Sequence, residues 1–168
     1  MSLNENKVFQ YSKEILENNN YQIIAEDPPS GSGFLPFLEI KEISNIEKGS
    51  EGSYKPDIVA ANKDEIIIVE CKGKFAQTDV EKLIEIKFDE NRNMQLYKQF
   101  IEKKLLEKFN LNEKFLSKNY FSKSIKLIHS YSNRVIHENK FVNFLQLENR
   151  QNYKLYFSLE EGFKINLK

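Results

Sequence analysis

Apolar positions near the start of the chain recur at helical spacing: Val8, Tyr11, Ile15 and Leu16 share one face between Asn6 and Glu17. The Asn18, Asn19, Asn20 run supplies a stop, so the first predicted element is a helix. Tyr21 to Ala25 is short and β-rich, and it runs into Pro28, Pro29 and a Gly/Ser stretch that continues neither strand nor helix. Phe37 to Ile43 alternates apolar and charged residues, as a half-buried strand does, before a polar segment through Ser53. Asp57 to Ala61, a turn of Asn62, Lys63 and Asp64, and then Glu65 to Cys71 predict a β-hairpin. The unbroken run Ile66, Ile67, Ile68, Val69 has no polar face, so this second strand is expected to be covered on both sides.

Beyond Gly73 the pattern changes period. Thr78 or Asp79 is the expected helix cap, and Tyr97, Ile101, Leu105 and Phe109 step at helical spacing, so a long or broken helix follows the hairpin. Ser124 to Ser130 reads as a further strand, Glu138 to Leu147 as a helix, and Tyr153 to Leu159 and Phe163 to Leu167 as late strands. No repeat, linker or low-complexity tract interrupts the order. The expectation is one α/β domain over residues 1–168, with a central mixed sheet flanked by helices.

Composition narrows the class. At 168 residues with 40% hydrophobic content, including 13 Phe and 8 Tyr, the chain can build a real core, which excludes disorder over most of its length. Lys and Arg number 25 and Asp and Glu 25, so there is no global basic field, and a phosphate-binding surface must be local. The longest apolar run falls far short of the ~20 residues of a membrane span, and no signal-like segment opens the chain; a soluble, cytoplasmic protein with no membrane partner is the expectation. With one cysteine, Cys71, and two histidines, His129 and His137, zinc of the Cys/His type is unsupported; a metal here must be held by oxygen.

The hairpin gathers the oxygen ligands. Asp57 follows Pro56 at the start of one strand, and Glu70 and Lys72 stand two apart at the end of the next. Residues two apart share a face, and antiparallel neighbours lie about 5 Å apart, so the three charges converge. Two carboxylates at the end of an apolar strand need compensation, and magnesium between them would supply it. The plain alternative is a solvated hairpin end.

The residues Pro56-Asp57 and Glu70-Cys71-Lys72 resemble the motif of the PD-(D/E)xK nucleases of the restriction-endonuclease-like fold. The predicted order is similar to that family's αβββαβ core over about residues 7–131, which leaves 132–168 as a C-terminal extension. The resemblance implies a magnesium-dependent endonuclease, with manganese able to substitute, that hydrolyses phosphodiester bonds of DNA ahead of RNA. A homodimer is one way such an enzyme cuts two strands. By the same resemblance Asp57 and Glu70 bind the metal, the Cys71 carbonyl also faces it, and Lys72 positions or activates the attacking water. Many members add an acid from the first helix, which Glu14 or Glu17 would supply here, and Gln95 is an auxiliary candidate on the helix after the hairpin. The rival from another class is an inactive nucleic-acid-binding or assembly module of the same fold.

Glu-x-Lys also occurs at Glu85 and Lys87, in a stretch that looks like the segment carrying the motif in the virus-type replication-repair branch of this superfamily. That assignment leaves the Ile66 to Cys71 strand as an insertion between the motif strands, so Glu70 and Lys72 are preferred, with Glu85 and Lys87 kept as competitor. Lys98, Lys103, Lys104, Lys108, Lys114, Lys118 and Lys123, with Tyr120 and Phe121, form a local basic tract, but Glu102, Glu107 and Glu113 dilute it to a solvated helix face. Cys71 should point away from Glu70 and Lys72, and both histidines are read as hydrogen-bonded or exposed.

Overall fold

Asn4 opens the first helix by accepting the Lys7 N–H on its side chain at 2.9 Å, and α1 runs from Glu5 to Asn18. This is the first element of a computed structural model that describes residues 2–31, 33–41 and 52–167. Six strands follow among the described residues: β1 (Gln22–Glu26), β2 (Ile58–Ala61), β3 (Ile66–Cys71), β4 (Ile125–Tyr131), β5 (Val142–Leu147) and β6 (Tyr153–Tyr156). They form a single sheet in chain order, β1-β2-β3-β4-β5-β6. The β1–β2, β2–β3 and β5–β6 pairs are antiparallel, while β3–β4 and β4–β5 are parallel. A parallel return needs a crossover, and here it holds α2 (Gln77–Phe88), α3 (Glu90–Glu102), the short α4 (Leu105–Lys108) and α5 (Lys118–Ser124).

The β-branched run of β3 is buried at every position. Ile66 and Ile68 face α2, α3 and α5 in a cluster with Val80, Leu83, Leu96, Phe100 and Phe121. Ile67, Val69 and Cys71 face the other way, against Val8, Phe9, Ile15 and Leu16 of α1. The sheet therefore lies between α1 and the crossover helices, as the unbroken apolar run predicts. A partly buried ion pair, Lys13 to Glu26 at 2.6 Å, ties α1 to the end of β1.

Several expectations are corrected. Phe37 to Ile43 is not a strand where described: Ile40 makes one isolated bridge to Tyr54, its N–H and C=O both bonded to that residue at 2.8 Å. Residues 42 and 43, and most of the polar segment to Ser53, lie outside the described residues. The cap of α2 is neither Thr78 nor Asp79 but Ala76, which supplies no side-chain acceptor. The helix after the hairpin is broken at Asp89, which ends α2 and caps α3 by accepting the Arg92 N–H at 2.9 Å. Glu138 to Leu147 contains strand β5 rather than a helix, because Val142, Phe144, Leu145 and Leu147 are buried on both faces and the alternation that marks a strand is lost. The strand from Tyr153 stops at Tyr156. Phe163 to Leu167 packs Ile165 and Leu167 beneath α1 without joining the ladder.

Candidate functional site

Asp57 lies just before β2, its carbonyl accepting the Asp27 N–H at 2.9 Å. Its side chain reaches across the hairpin, where Oδ2 accepts the Cys71 N–H at 2.7 Å. Asp57 is thus held at the end of β3, beside Glu70. Burial pushes the Asp57 carboxyl up to about 6, against the Cys71 N–H and the Lys82 ammonium, with Glu5 adding to the rise. Burial, and then the charge of Asp57, push Glu70 well above the ordinary range, with Lys82 working in the opposite direction. Lys82 Nζ stands 2.9 Å from Glu70 Oε1. That ion pair is the contact that answers the charge of this buried oxygen.

The first turns of two helices complete the cluster. Helix α2 begins shortly after β3 ends, so Asp79 falls beside the strand terminus; its carboxyl is raised by burial against the pull of Lys72 and Lys82, and its buried Oδ2 has no hydrogen-bond partner among the described residues. Helix α1 hands over to β1 at Gln22, which pairs with Ala61, the end of β2 remote from Asp57. The N-terminus of α1 therefore lies at the Asp57 end. Glu5 there pairs with Lys72 at 3.3 Å, at the half-open mouth of the cluster. Partial burial pulls the Lys72 ammonium down, but Glu5, with Asp79 and Asp57 beyond it, holds it above its ordinary value.

His129 braces this end of the sheet. It sits opposite Glu70 in the β3–β4 register and is fully buried. Its Nε2 lies 3.1 Å from the Ala76 N–H, which can only donate, so Nδ1 carries the proton and donates to the Glu70 carbonyl at 3.2 Å. Burial drives its pKa down to about 4, with the Glu70 carbonyl opposing, so the ring is neutral at pH 7. The segment it fixes, Gly73 to Ala76, is also held by Asn133, which accepts the Phe75 N–H at 3.0 Å.

Of the residues singled out from the sequence, Asp57, Glu70 and Lys72 are thus brought to one end of the sheet, with Lys72 at the rim rather than between the acids. The Cys71 side chain points to the opposite face, as expected. Glu14 is not part of the site: it pairs with Arg150 at 2.7 Å, and Glu17 lies exposed in the last turn of α1. Glu5 is the acid that the first helix brings. Gln95 is half-buried on α3 with no hydrogen bond to the cluster among the described residues. Glu85 and Lys87 lie on α2, not on a strand. Glu85 accepts from the Tyr54 hydroxyl at 2.7 Å, and Lys87 donates to the Ser122 and Ile125 carbonyls; burial lowers the Lys87 ammonium to about 8. His137 is neither exposed nor hydrogen-bonded: it is half-buried, stacked on Phe75 with centroids 3.3 Å apart, and its Nε2 has no partner among the described residues. The basic tract is spread over α3, α4, α5 and the turns between them, and Lys118 is spent on Asn93 and Ser122 at 2.6 Å.

Among the described residues no three His, Cys, Asp or Glu side chains group closely enough to hold a metal by themselves. Magnesium asks for less, since it is bound through one or two carboxylates and keeps several waters. Asp57 and Glu70 supply two carboxylates side by side, with Glu70 Oε1 buried against the Lys82 ammonium. With every group ionised, the acids Glu5, Asp57, Glu70 and Asp79 outnumber Lys72 and Lys82 by two charges, the charge of one divalent cation.

A cleft of ≈ 1020 Å³ lies at the other end of the sheet, lined by Asn18, Asn62, Lys63 and Asn112 among others. Two of its carboxamides are spent on turns: Asn62 Oδ1 accepts from Asp64 and Glu65, and Asn112 Oδ1 from Lys114. The clustered carboxylates Asp57, Glu70 and Asp79 lie at the opposite end from this cleft. No helix among the described residues is long and apolar enough to cross a membrane. No protein-family model, no curated protein and no solved structure matches the chain.

Proposed function

We propose that the chain is a magnesium-dependent nuclease of the PD-(D/E)xK type, hydrolysing phosphodiester bonds with DNA preferred to RNA. The observation that carries this reading is the meeting of two carboxylates, half-buried Asp57 and buried Glu70, from the two arms of one hairpin. The order α1, β1, β2, β3, crossover helices and then β4 parallel to β3 supports a restriction-endonuclease-like core. Asp57, Glu70 and the Cys71 carbonyl would hold the ion. When bound, magnesium lowers the pKa of water and neutralises charge on phosphate oxygens.

Each protein group then has a distinct task. The Cys71 N–H aims the Asp57 carboxylate by holding one of its oxygens. Lys72, with its ammonium held above the ordinary value by Glu5, stays protonated at neutral pH and orients the attacking water as a donor rather than deprotonating it. Asp79 sets the charge around both lysines, and Glu5 that around Lys72. His129 fixes the strand end and the helix start to one another, which keeps the carboxylates in register.

The test is to incubate the purified chain with plasmid, single-stranded DNA and RNA, with magnesium, with manganese and with chelator. Cleavage that needs the metal is expected, with a loss of about hundredfold or more in Glu70→Gln. Absence of cleavage on all three substrates with either metal would overturn the nuclease reading in favour of a binding module.

A further inference from the structure

The two lysines of the cluster are placed differently. Lys72 and its partner Glu5 are 41% and 37% exposed, and such a pair is weak because water screens it. Lys82 and Glu70 are 20% and 3% exposed, and their 2.9 Å contact lies beneath the surface. Lys82 stands one helical turn after Asp79 and faces Asp57, Glu70 and Asp79 together. The Tyr54 ring, 5.6 Å from its ammonium, walls the other side. Tyr54 is itself fixed by the Arg92 guanidinium stacked 3.7 Å from its centroid and by its hydroxyl bond to Glu85. A flexible ammonium with three donors is thereby confined between a fixed ring and a buried carboxylate.

We propose that Lys82 is a second, inner lysine of the site, with two roles: its ammonium holds the Glu70 carboxylate in the absence of a divalent ion, and supplies positive charge to the substrate phosphate once an ion has taken Glu70. The metal half rests on the placement of Lys82 against the acids; the phosphate half rests on the nuclease reading. Lys72 remains the lysine of the mouth. The inference follows from geometry that no spacing rule exposes, because Lys82 lies on a different element from the strand motif it completes.

The two roles give readouts that move in opposite directions. Removing the ammonium while keeping the length of the side chain frees Glu70 for a cation but takes charge from the substrate. Manganese binding to the full chain is measured by titration calorimetry at pH 8.5, where proton competition is reduced, for wild type, Lys82→Met, Lys82→Arg and the exposed control Lys98→Met. Circular dichroism melts establish that each variant is folded, and Lys82→Gln replaces Lys82→Met if that protein does not fold. Lys82→Met is expected to bind manganese about tenfold more tightly than wild type, with Lys82→Arg and Lys98→Met within about threefold. In the cleavage assay Lys82→Met is expected to lose about hundredfold in kcat with KM little changed, and Lys82→Arg to recover part of that loss.

A lysine that only props up the fold would weaken metal binding and cleavage together, or affect neither. Manganese affinity unchanged in Lys82→Met overturns the inference, and if wild type still cuts DNA the nuclease reading stands without it. Tighter manganese binding with an undiminished kcat removes the phosphate role. Tighter binding in a chain that cuts nothing keeps the metal half and overturns the nuclease reading together with the phosphate half. Binding of manganese by none of the proteins overturns the whole inference.

Discussion

His129 shows how much one side chain can decide. A buried imidazole is neutral here because its Nε2 accepts a backbone N–H while its Nδ1–H donates to a carbonyl, and both bonds serve the segment that carries the acids. Replacing it by Phe keeps the shape but strands the Ala76 N–H and the Glu70 carbonyl. His129→Phe is expected to lose about 2–4 kcal/mol at pH 7.5 in urea unfolding, since each buried group left unpaired costs about 1–3 kcal/mol. Loss below 0.5 kcal/mol would show that water replaces the ring. From the sequence, this histidine was legible only as a hydrogen-bonded or exposed residue, because its partners come from β3 and from the start of α2, distant in the chain. Asp57, Glu70 and Lys72 were legible because a hairpin brings them together by local rules. Glu5, Asp79 and Lys82 were not, since their presence depends on which ends of α1 and α2 lie over the sheet.

The elements that the sequence obscures are those whose burial hides their period. β5 packs on both faces, so Val142 and Leu145 imitate a helical stripe, and an expected helix is a strand. The stretch after Phe163 alternates like a strand yet finds no ladder partner; it serves as an apolar strip under α1. The hairpin and α1 are legible to within a residue or so, because their stop signals are explicit. The α2–α3 boundary is the sharpest local signal that the periodicity leaves unresolved: Asp89 alone ends one helix and begins the next. Asp89→Ala is expected to destabilise the protein by about 1 kcal/mol, the usual worth of an N-cap, measured by chemical denaturation, while Asp89→Ser recovers most of it. An unchanged midpoint for Asp89→Ala would mean that packing, not the cap, sets the break.

At the scale of the whole molecule the site acts on stability through protons. A carboxyl whose folded pKa is raised keeps protons that the unfolded chain releases, so its contribution favours the native state at low pH and is lost as pH rises through the folded value. For Asp57 that window runs from 3.8 to about 6, and Glu70, also raised, acts in the same direction. His129 does the opposite: with its pKa lowered from 6.5 to about 4, the unfolded chain binds more protons in that range, and stability rises with pH. The raised carboxyls of Asp57, Glu65, Glu70 and Asp79 outnumber the lowered histidines His129 and His137, so metal-free protein is expected to lose stability from pH 4 to 6.5. Asp57→Asn should flatten or reverse that slope, and His129→Phe should steepen it, as read from melting temperature across the range. A wild-type profile that rises over this window would contradict the assignment of raised carboxyls.

The position of β3 between an antiparallel and a parallel neighbour also sets the order in which the chain can assemble itself. The contact from Asp57 to the Cys71 N–H spans 14 residues, whereas the bond from His129 to the Glu70 carbonyl spans 59. Closing the longer loop costs about 1 kcal/mol more in chain entropy, and it also waits for the crossover helices to form. During synthesis the hairpin with both acids therefore leaves the ribosome well before β4 is available. Until that strand arrives, the apolar edge of β3 is an open template for another chain.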